Sequence, residues 1–566
     1  MEQSDNFKQK CLFYFIMATS LMMPIIMAFF FKITDLFPDI RQAIYSYLFP
    51  FLLTGIFSFY VKKKKVFNNK YIFYSFCLIL LVTLFSRVFL FPLRSGDYNN
   101  FLYHWIRQMQ FMGWPWQIAV PITNYNLLYT YILAVILHVP FSDLFLIKSV
   151  SVIFDVILGI VVLFILKKSL KLKEINCLLG FTLSMIIPSL FLNSAAWGQC
   201  DSMYTACLLI GIYLILKEKP KTGCLLLGLS ISLKLQAAFV FPILLFLIAY
   251  KQIKFRHLFL IPITYFIIML PALSCGRTLS SAIGIYFNQV QTFSSLSMGL
   301  PSLWEIIHGN YTFFLPLALS LSIIIVFLFT MLTLFYKNLQ DKKDFWDILF
   351  IYALIVPYFL PKMHERYFYM AIVLSIIYLF NHPKMWMWIF GISLIDMCLY
   401  LPYLLGYSFC DRKYLALCYL VIILKILIQF FTSQDPKNNI PIQTNEENIF
   451  KSQKKSLIAK NLFILCGISS FIISFFILSS DFQGNISIKK QFTVPFWVNA
   501  KKVNVKHPGW NEELVFLSDD RIFHLSHMNM AEVIRFNDTE LWVKWDGNNE
   551  EHFVKENSSN SYNFTK

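Results

Sequence analysis

Charged side chains are scarce in this chain, at 14% of 566 residues, whereas hydrophobic residues make up 57% and aromatic residues 18%. A soluble globular domain is about one-quarter charged, so the composition excludes that class. Apolar runs of roughly 20 residues recur along most of the sequence, which is the length of a helix that crosses a bilayer and is too long for barrel strands. We therefore predict an all-α polytopic membrane protein.

Paired cysteine spacing is also lacking. The 11 cysteines lie mostly inside apolar runs, a pattern that indicates neither a zinc site nor a disulfide framework. Cys200, Cys275 and Cys410 fall near predicted outer loops, where pairing stays an open alternative.

Acidic residues are outnumbered, at 32 against 49 Lys and Arg, and the formal net charge is +17. In a soluble protein such an excess would indicate nucleic acid. Here the lysines cluster in short loops between apolar runs, which is the orientation signal of membrane proteins, so no nucleic-acid partner is expected. Lys8 and Lys10 precede the first run and Lys62 to Lys65 follow the second. This pattern places the N-terminus inside and predicts about 15 transmembrane helices.

The runs and breaks divide the chain into five predicted parts. The first apolar run lacks the cleavage pattern of a signal peptide, so it is expected to stay as a transmembrane helix. Residues 433–460 have the polar composition of a flexible linker. The C-terminal part alternates apolar and polar residues as short strands do. The parts are an extra N-terminal transmembrane hairpin (1–70), the main membrane domain (71–432), a cytoplasmic linker (433–460), a last transmembrane helix (461–480) and a small extracytoplasmic β-rich domain (481–566).

Two stretches of the main domain are too short to cross a bilayer. The best apolar run of residues 101–140, Leu127 to Val139, is about 13 residues long, so we expect interfacial helices there, with nearby tryptophans at headgroup depth. Residues 222–234 and 237–250 predict two short helices whose tip carries Lys234. Such a tip needs water or protein around it, and we expect Lys234 to face an aqueous pocket.

Four polar clusters fall on the predicted outer side. They supply a carboxylate that can act as a base, amide and indole groups that suit hydroxyl-rich ligands, and cations that suit phosphate. This inventory fits transfer of a sugar from a lipid phosphate to a hydroxyl. The clusters are Asp97, Trp197-Gly198-Gln199-Cys200-Asp201, Lys234-Leu235-Gln236 and His364-Glu365-Arg366-Tyr367.

In their order and predicted topology, with Met363 preceding the last of them, these clusters resemble the bacterial relatives of the GPI mannosyltransferase II family. That family belongs to the GT-C class of glycosyltransferases, which use polyprenyl-phosphate sugars. The resemblance covers roughly residues 86–410 and leaves out the first two spans and the C-terminal domain. It implies that residues 71–432 are a GT-C-like catalytic domain, which transfers a hexose, with mannose favoured, to a glycolipid, glycan or protein acceptor with inversion.

The resemblance implies that Asp97 is the general base of this reaction. Lys234, His364 and Arg366 are expected to bind the donor phosphate, and Arg366 is favoured because its planar guanidinium can hold phosphate bidentately. No metal cage is evident in the pattern, so no obligatory metal or other cofactor is expected. A bacterial plasma membrane is the favoured location, with the endoplasmic reticulum as the alternative. Substrate contacts or structural braces are assigned to Trp197, Gln199, Asp201, Gln236, Glu365 and Tyr367.

Each assignment has a structural alternative. The residues around Asp97 are ordinary turn formers, Trp197 can be an interface anchor, and Glu365 and Arg366 can be a structural ion pair. Asp155 lies inside a predicted span and too deep to meet the outer clusters, so we expect it to bond a neighbouring helix. Tyr98, Arg107 and Lys148 are accessory candidates.

Two other functions stay open for the whole protein. A transporter or flippase of lipid-linked sugars or polysaccharide predicts ionisable residues along a transmembrane path and an internal two-fold repeat. No such repeat is evident in the sequence. A membrane scaffold whose C-terminal domain is the working part predicts that the four clusters tolerate substitution.

Overall fold

The computed structural model describes residues 40–432, apart from 292–293, 308–309, 337–338, 340, 407 and 409, together with seven strands between residues 502 and 565. The predicted first span, the linker 433–460 and the predicted last helix 461–480 lie outside the described residues. The chain divides into two compact units. The first comprises Met1–Phe101, Pro140–Tyr265 and Phe293–Gln483, and the second comprises Leu102–Val139, Phe266–Thr292 and Gly484–Lys566.

Long apolar helices confirm an integral, multi-pass membrane protein. Seven segments of the described chain are long and apolar enough to cross a bilayer, and an eighth is a helix pair, Glu174–Ile186 and Pro188–Ala195, bent by 52°. The bend follows from Pro188, which cannot donate a backbone hydrogen bond inside a helix. The seven segments are Ile44–Lys63, Lys70–Val88, Asp143–Ser169, Phe255–Ser274, Tyr311–Phe335, Pro383–Leu404 and Arg412–Thr432.

The remaining predicted spans of the described chain form shorter or more polar helices. Asp201–Leu216, Pro220–Leu233 and Tyr369–Asn381 are apolar but shorter than a full span. Lys342–Phe359 has 18 residues but carries lysines and aspartates in its first two turns. The total of about 15 spans therefore stays a prediction.

Nineteen α-helices are described, and we number them in chain order. They are α1 Ile40–Lys63, α2 Lys70–Val88, α3 Tyr103–Met112, α4 Trp116–Ala119, α5 Leu127–Ile136, α6 Asp143–Phe164, α7 Glu174–Ile186, α8 Pro188–Ala195, α9 Asp201–Leu216, α10 Pro220–Leu233, α11 Ile243–Ala249, α12 Leu260–Ser274, α13 Leu279–Gln291, α14 Leu303–Ile306, α15 Tyr311–Tyr336, α16 Lys342–Phe359, α17 Tyr369–Asn381, α18 Trp386–Leu405 and α19 Arg412–Thr432. Short π-helices follow α2 and α6, at Tyr98–Leu102 and Ile165–Ser169, and 3-10 turns include Leu235–Val240.

The predicted pair of short helices is confirmed as α10 and α11. Lys234 lies between α10 and the 3-10 turn in an extended conformation, with φ −155° and ψ 137°. In the second unit, helices α3, α4 and α5 are all short, in agreement with the expectation that residues 101–140 do not cross the bilayer. Their interfacial position stays a prediction.

A buried polar contact between helices stabilises the first unit. Arg87 Nε on α2 donates to Asp155 Oδ2 on α6 at 3.0 Å, and Ser194 Oγ on α8 donates to the same oxygen. The Arg87 guanidinium lies 4.6 Å from the centre of the Phe191 ring. The expectation that Asp155 bonds a neighbouring helix is confirmed, because the contact joins three helices.

The C-terminal strands confirm the predicted β-rich domain. Two short strands, β1 (Ser297–Met298) and β2 (Met363–His364), come earlier in the chain. Neighbouring C-terminal strands pair antiparallel, and β9 (Asn563–Thr565) pairs antiparallel with β8 (Glu550–Lys555) and parallel with β3 (Lys502–His507), which closes the sheet into a barrel. Leu541 and Val543 on β7 are buried whereas Trp542 between them is not, as the two-residue period of a strand requires. The other strands are β3 Lys502–His507, β4 Trp510–Ser518, β5 Arg521–His524, β6 Asn529–Phe536, β7 Glu540–Trp545 and β8 Glu550–Lys555.

Candidate functional site

Asp97 lies at the start of a helical segment and not in an isolated turn. Ser95 caps this start, because its Oγ accepts a hydrogen bond from the backbone N–H of Tyr98 at 3.2 Å. The same hydroxyl donates to the carbonyl of Trp197 at 3.1 Å. A carboxylate in the first turn of a helix is favoured by the partial positive charge of the exposed N–H groups. Ser95 therefore fixes both the backbone of Asp97 and its distance from the Trp197 turn.

Lys148 holds the end of α2 from which the Asp97 segment emerges. Its buried Nζ donates to the carbonyls of Leu90, at 2.9 Å, and Leu93. These carbonyls follow the last turn of α2, where the helix dipole favours a cation. Lys148 was an accessory candidate, and the structure places it beneath the loop as a support.

The Trp197-Gly198-Gln199 turn presents two donors to Asp97. Trp197 Nε1 lies 3.0 Å and Gln199 Nε2 lies 2.8 Å from Asp97 Oδ2. Gly198 between them has φ +75°, a conformation in which a residue with a side chain is strained. An added Cβ would meet only ordinary contacts, at 3.6 Å or more. The backbone angle, and not lack of space, is what requires glycine here.

Trp197 is buried, with 2% of its surface exposed, so it is not an interface anchor. Its ring stacks on Tyr403, with centroids 5.6 Å apart, and meets Tyr400 edge-on at 5.2 Å. The Arg366 guanidinium lies 5.5 Å from the ring centre, a distance at which a cation is attracted to the indole. These contacts fix the direction of the indole N–H toward Asp97.

Arg366 is the centre of an ion-pair network. Its NH1 lies 3.2 Å from Asp97 Oδ2 and 2.8 Å from Glu365 Oε1, and its Nε lies 4.0 Å from Asp201 Oδ2. The Arg366 side chain is 12% exposed and the Asp97 side chain is 28% exposed. One guanidinium therefore joins three carboxylates, of which Asp97 is the most accessible.

Lys234 does not face an aqueous pocket as expected. Its side chain is 4% exposed, and its Nζ pairs with Oδ1 of Asp201, which is 1% exposed. A buried ammonium group costs less beside a carboxylate than alone. Asn193 Nδ2 also donates to Asp201 Oδ2 at 3.0 Å and to the Tyr400 hydroxyl at 2.9 Å. Lys234 and Asp201 thus form a buried ion pair on the inner side of the network.

Glu365 is buried. Burial raises the pKa of its carboxyl, but the neighbouring His364 and the charge of Arg366 outweigh burial and hold the pKa below its usual range. His364 Nδ1 lies 3.8 Å from Glu365 Oε2, and the His364 side chain is 25% exposed. Burial raises the pKa of Tyr367 to about 12, and the Gln236 side chain hydrogen-bonds that tyrosine.

A short sheet of two strands, β1 and β2, which we call the clip, was not predicted from the sequence. Ser297–Met298 (β1) pairs in parallel with Met363–His364 (β2), next to Glu365. Gly299 follows with φ +100°, and a Cβ added there would lie 2.7 Å from the Tyr403 hydroxyl and 3.4 Å from Glu365 Oε2. Two-residue strands are too short to give an alternating pattern. The sequence signal was Gly299, in a loop that mixes serines with Leu and Met residues.

The other accessory candidates lie in different surroundings. Tyr98 is buried, and its backbone N–H bonds to the Ser95 cap. Arg107 bonds within α3, to Gln110 Oε1 at 2.7 Å and over the Tyr103 ring at 5.1 Å. Neither contact gives these residues a chemical role in the Asp97 network.

Comparisons with known proteins leave the resemblance untested. No family model matches the chain, and no curated protein matches it significantly. Within the described residues, no three or more His, Cys, Asp or Glu side chains are grouped to hold a metal ion. What the site can do must therefore be reasoned from its own geometry.

Proposed function

We propose that the protein is an integral membrane glycosyltransferase of GT-C type, with about 15 spans and an extracytoplasmic active site. It transfers a hexose, with mannose favoured, from a polyprenyl-phosphate donor to a hydroxyl of a glycolipid, glycan or protein acceptor. The observation that carries the proposal is the convergence of Trp197 Nε1, Gln199 Nε2 and Arg366 NH1 on Asp97 Oδ2, all within 3.2 Å. Three separate sequence clusters thus meet at one partly exposed carboxylate.

Asp97 is the general base in this proposal. The three donors hold Oδ2 and none of them falls on Oδ1, so one oxygen is oriented while the other is left for an acceptor hydroxyl. Oδ1 takes the hydroxyl proton while the acceptor oxygen attacks the anomeric carbon. The bond from that carbon to the phosphate oxygen breaks, and polyprenyl phosphate leaves from the opposite face, which inverts the configuration.

Arg366 stabilises the leaving phosphate. A phosphate ester needs charge neutralisation more than protonation when it leaves. Arg366 keeps its charge at all working pH values, and its planar fork fits two phosphate oxygens. Since Lys234 is already paired with Asp201, its role in the proposal is structural: the pair stabilises the buried side of the network. His364 is the second, more exposed group on the donor side.

The test is release of polyprenyl phosphate from a panel of polyprenyl-phosphate sugars by the purified protein, with Asp97→Asn as the variant. Asp411→Asn is the matched control, because Asp411 is an exposed aspartate whose described partner is the exposed Lys413. We expect one sugar to support turnover, the Asp411 variant to match the wild type and the Asp97 variant to lose activity. Equal activity of wild type and Asp97→Asn would reject the base assignment.

One observation favours the second candidate function, transport of lipid-linked sugars. Asp396 lies inside the candidate span Pro383–Leu404 and is fully buried, with the Ser189 hydroxyl as a polar neighbour of its carboxylate. An ionisable group inside a span marks a transport path in many membrane proteins. Movement of a lipid-linked sugar across proteoliposomes without sugar transfer, abolished by Asp396→Asn, would support transport over glycosyl transfer.

A further inference from the structure

The ion-pair network has an unusual charge balance. Asp97, Glu365 and Asp201 are each within 4.0 Å of Arg366, and Lys234 pairs with Asp201. Three carboxylates against two permanent cations leave one net negative charge. The donor of the proposed reaction is a phosphodiester and brings a second negative charge into a site that is mostly buried. Uncompensated charges of one sign are costly in such surroundings.

Two neighbouring cations have other described partners. Arg412, whose NH1 would lie 3.2 Å from a Cβ at Gly299, is already paired with Glu305 Oε1 at 2.9 Å. Lys148 is directed to the carbonyls of Leu90 and Leu93. His364 lies beside Glu365 in the network, and an imidazole can take up a proton and become a cation.

The geometry suits His364 for this task. Its Nδ1 lies 3.8 Å from Glu365 Oε2, and a quarter of its side chain is exposed. Its backbone pairs with Met298 of β1 and forms a bridge with Gly299, so the clip fixes its position. The Tyr367 ring, with its centroid 5.3 Å from that of His364, and Arg366 beside Glu365 also face it. An imidazolium here lies between a carboxylate and the exposed side of the site.

We infer that binding of the phosphate-linked donor is coupled to uptake of one proton by His364. The inference rests on the proposed function. The Arg366 guanidinium beside Glu365 favours its carboxylate form, so the proton goes to the imidazole, which then carries the charge that balances the phosphodiester. Arg366 binds the phosphate at any pH, and His364 makes that binding depend on pH.

The coupling fixes the sign of the pH dependence. By linkage, a proton taken up on binding makes donor affinity rise with the proton concentration. Donor affinity is then full at acidic pH and falls as pH rises, by up to about tenfold per pH unit for one linked proton. The loss is in donor affinity and not in the chemical step.

The experiment is titration calorimetry of a short-chain polyprenyl-phosphate sugar, without acceptor, at about pH 7.5 in two buffers of different ionisation enthalpy. The difference in heat gives the number of protons taken up. We expect about one proton for the wild type. His364→Lys keeps a fixed positive charge and should bind without proton uptake, whereas His364→Gln should bind about tenfold or more weakly, also without uptake. These values follow from one linked proton.

His382→Gln is the matched control. His382 is also a partly exposed histidine beside a buried carboxylate, with Nε2 2.7 Å from Asp347 Oδ2, and it has no described contact with the Asp97 network. This variant should keep the proton uptake of the wild type.

Each result decides the inference. Donor binding by the wild type without proton uptake, or uptake that persists in His364→Gln, would overturn it and leave the glycosyltransferase proposal standing. If His364→Gln unfolds on purification, His364→Lys still decides, because pH-independent tight binding is expected only when the imidazole is the proton site. Absence of binding and of turnover with every donor of the panel would reject the proposed function and the inference together.

Discussion

Two arginine–aspartate pairs of the first unit have nearly the same geometry and different surroundings. Arg87 lies 3.0 Å from Asp155, with side chains 0% and 3% exposed, whereas Arg366 lies 3.2 Å from Asp97, with side chains 12% and 28% exposed. The inner pair is supported by the Ser194 hydroxyl and the Phe191 ring, and two opposite charges balance. The network around Arg366 has an excess carboxylate and an exposed face. Exposure and charge imbalance, more than pairing itself, therefore separate a structural ion pair from a candidate site.

The largest effect is expected from breaking the inner pair. Asp155→Ala leaves the Arg87 charge buried without its carboxylate and should lower the free energy of unfolding by about 3–5 kcal/mol. Thermal unfolding in detergent measures the loss. The double variant with Arg87→Leu should recover part of it, because it removes the unpaired charge. Turnover per folded molecule should be nearly unchanged, and a selective loss of turnover would contradict the structural assignment of Asp155.

The outer pair should respond in activity and not in stability. Arg366→Lys keeps the charge but loses the planar fork, and we expect kcat/KM to fall about 100-fold with a small change in unfolding temperature. Steady-state release of polyprenyl phosphate gives the number. A variant with normal kcat/KM would mean that Arg366 only braces Asp97 and Glu365.

The effect of the clip on turnover can be distinguished from the effect of backbone strain at a glycine. Gly299→Ala puts a Cβ 2.7 Å from the Tyr403 hydroxyl at φ +100°, whereas Gly406→Ala at φ +75° meets nothing within 4 Å. Both variants suffer strain of about 1–3 kcal/mol, but only the first displaces Tyr403 and Glu365. We expect about tenfold lower turnover for Gly299→Ala alone. Equal turnover in the two variants would show that the clip does not position the site.

The smallest effect concerns pH and stability. The pKa of Glu365 is held below its usual range in the folded protein, so the carboxylate stabilises the fold at neutral pH and this stabilisation is lost as pH falls through the folded-state pKa. The unfolding temperature of Glu365→Gln should therefore lie below that of the wild type at pH 7, and the difference should shrink on acidification. A difference that grows at low pH would contradict the assigned direction.

Much of this arrangement was predictable from span lengths and lysine placement. Because span ends lie at a shared membrane face, the sequence predicted that Asp97, Trp197, Gln199 and Arg366 lie on the same side of the membrane. In the structure Trp197, Gln199 and Arg366 lie within 3.2 Å of Asp97 Oδ2. The spans also predicted that Asp155 packs between helices.

The remaining features depend on contacts that sequence patterns do not encode. The pairing of Lys234 with Asp201 depends on the relative orientation of α9 and α10. The hydrophobic pattern predicted only that a cation lies at a helix tip. Gly299 and Tyr403 approach Glu365 through a strand of two residues and the end of a span. Such contacts join residues tens of positions apart and leave no periodic signal.

The most direct test of the central claim is release of polyprenyl phosphate by wild type and Asp97→Asn, with donor binding measured on the same preparations. If Asp97 is the base, the variant binds the donor as the wild type does, folds normally and loses kcat by about a hundredfold to ten-thousandfold. If the variant turns over like the wild type, or if neither protein releases polyprenyl phosphate from any donor, the glycosyltransferase account is wrong.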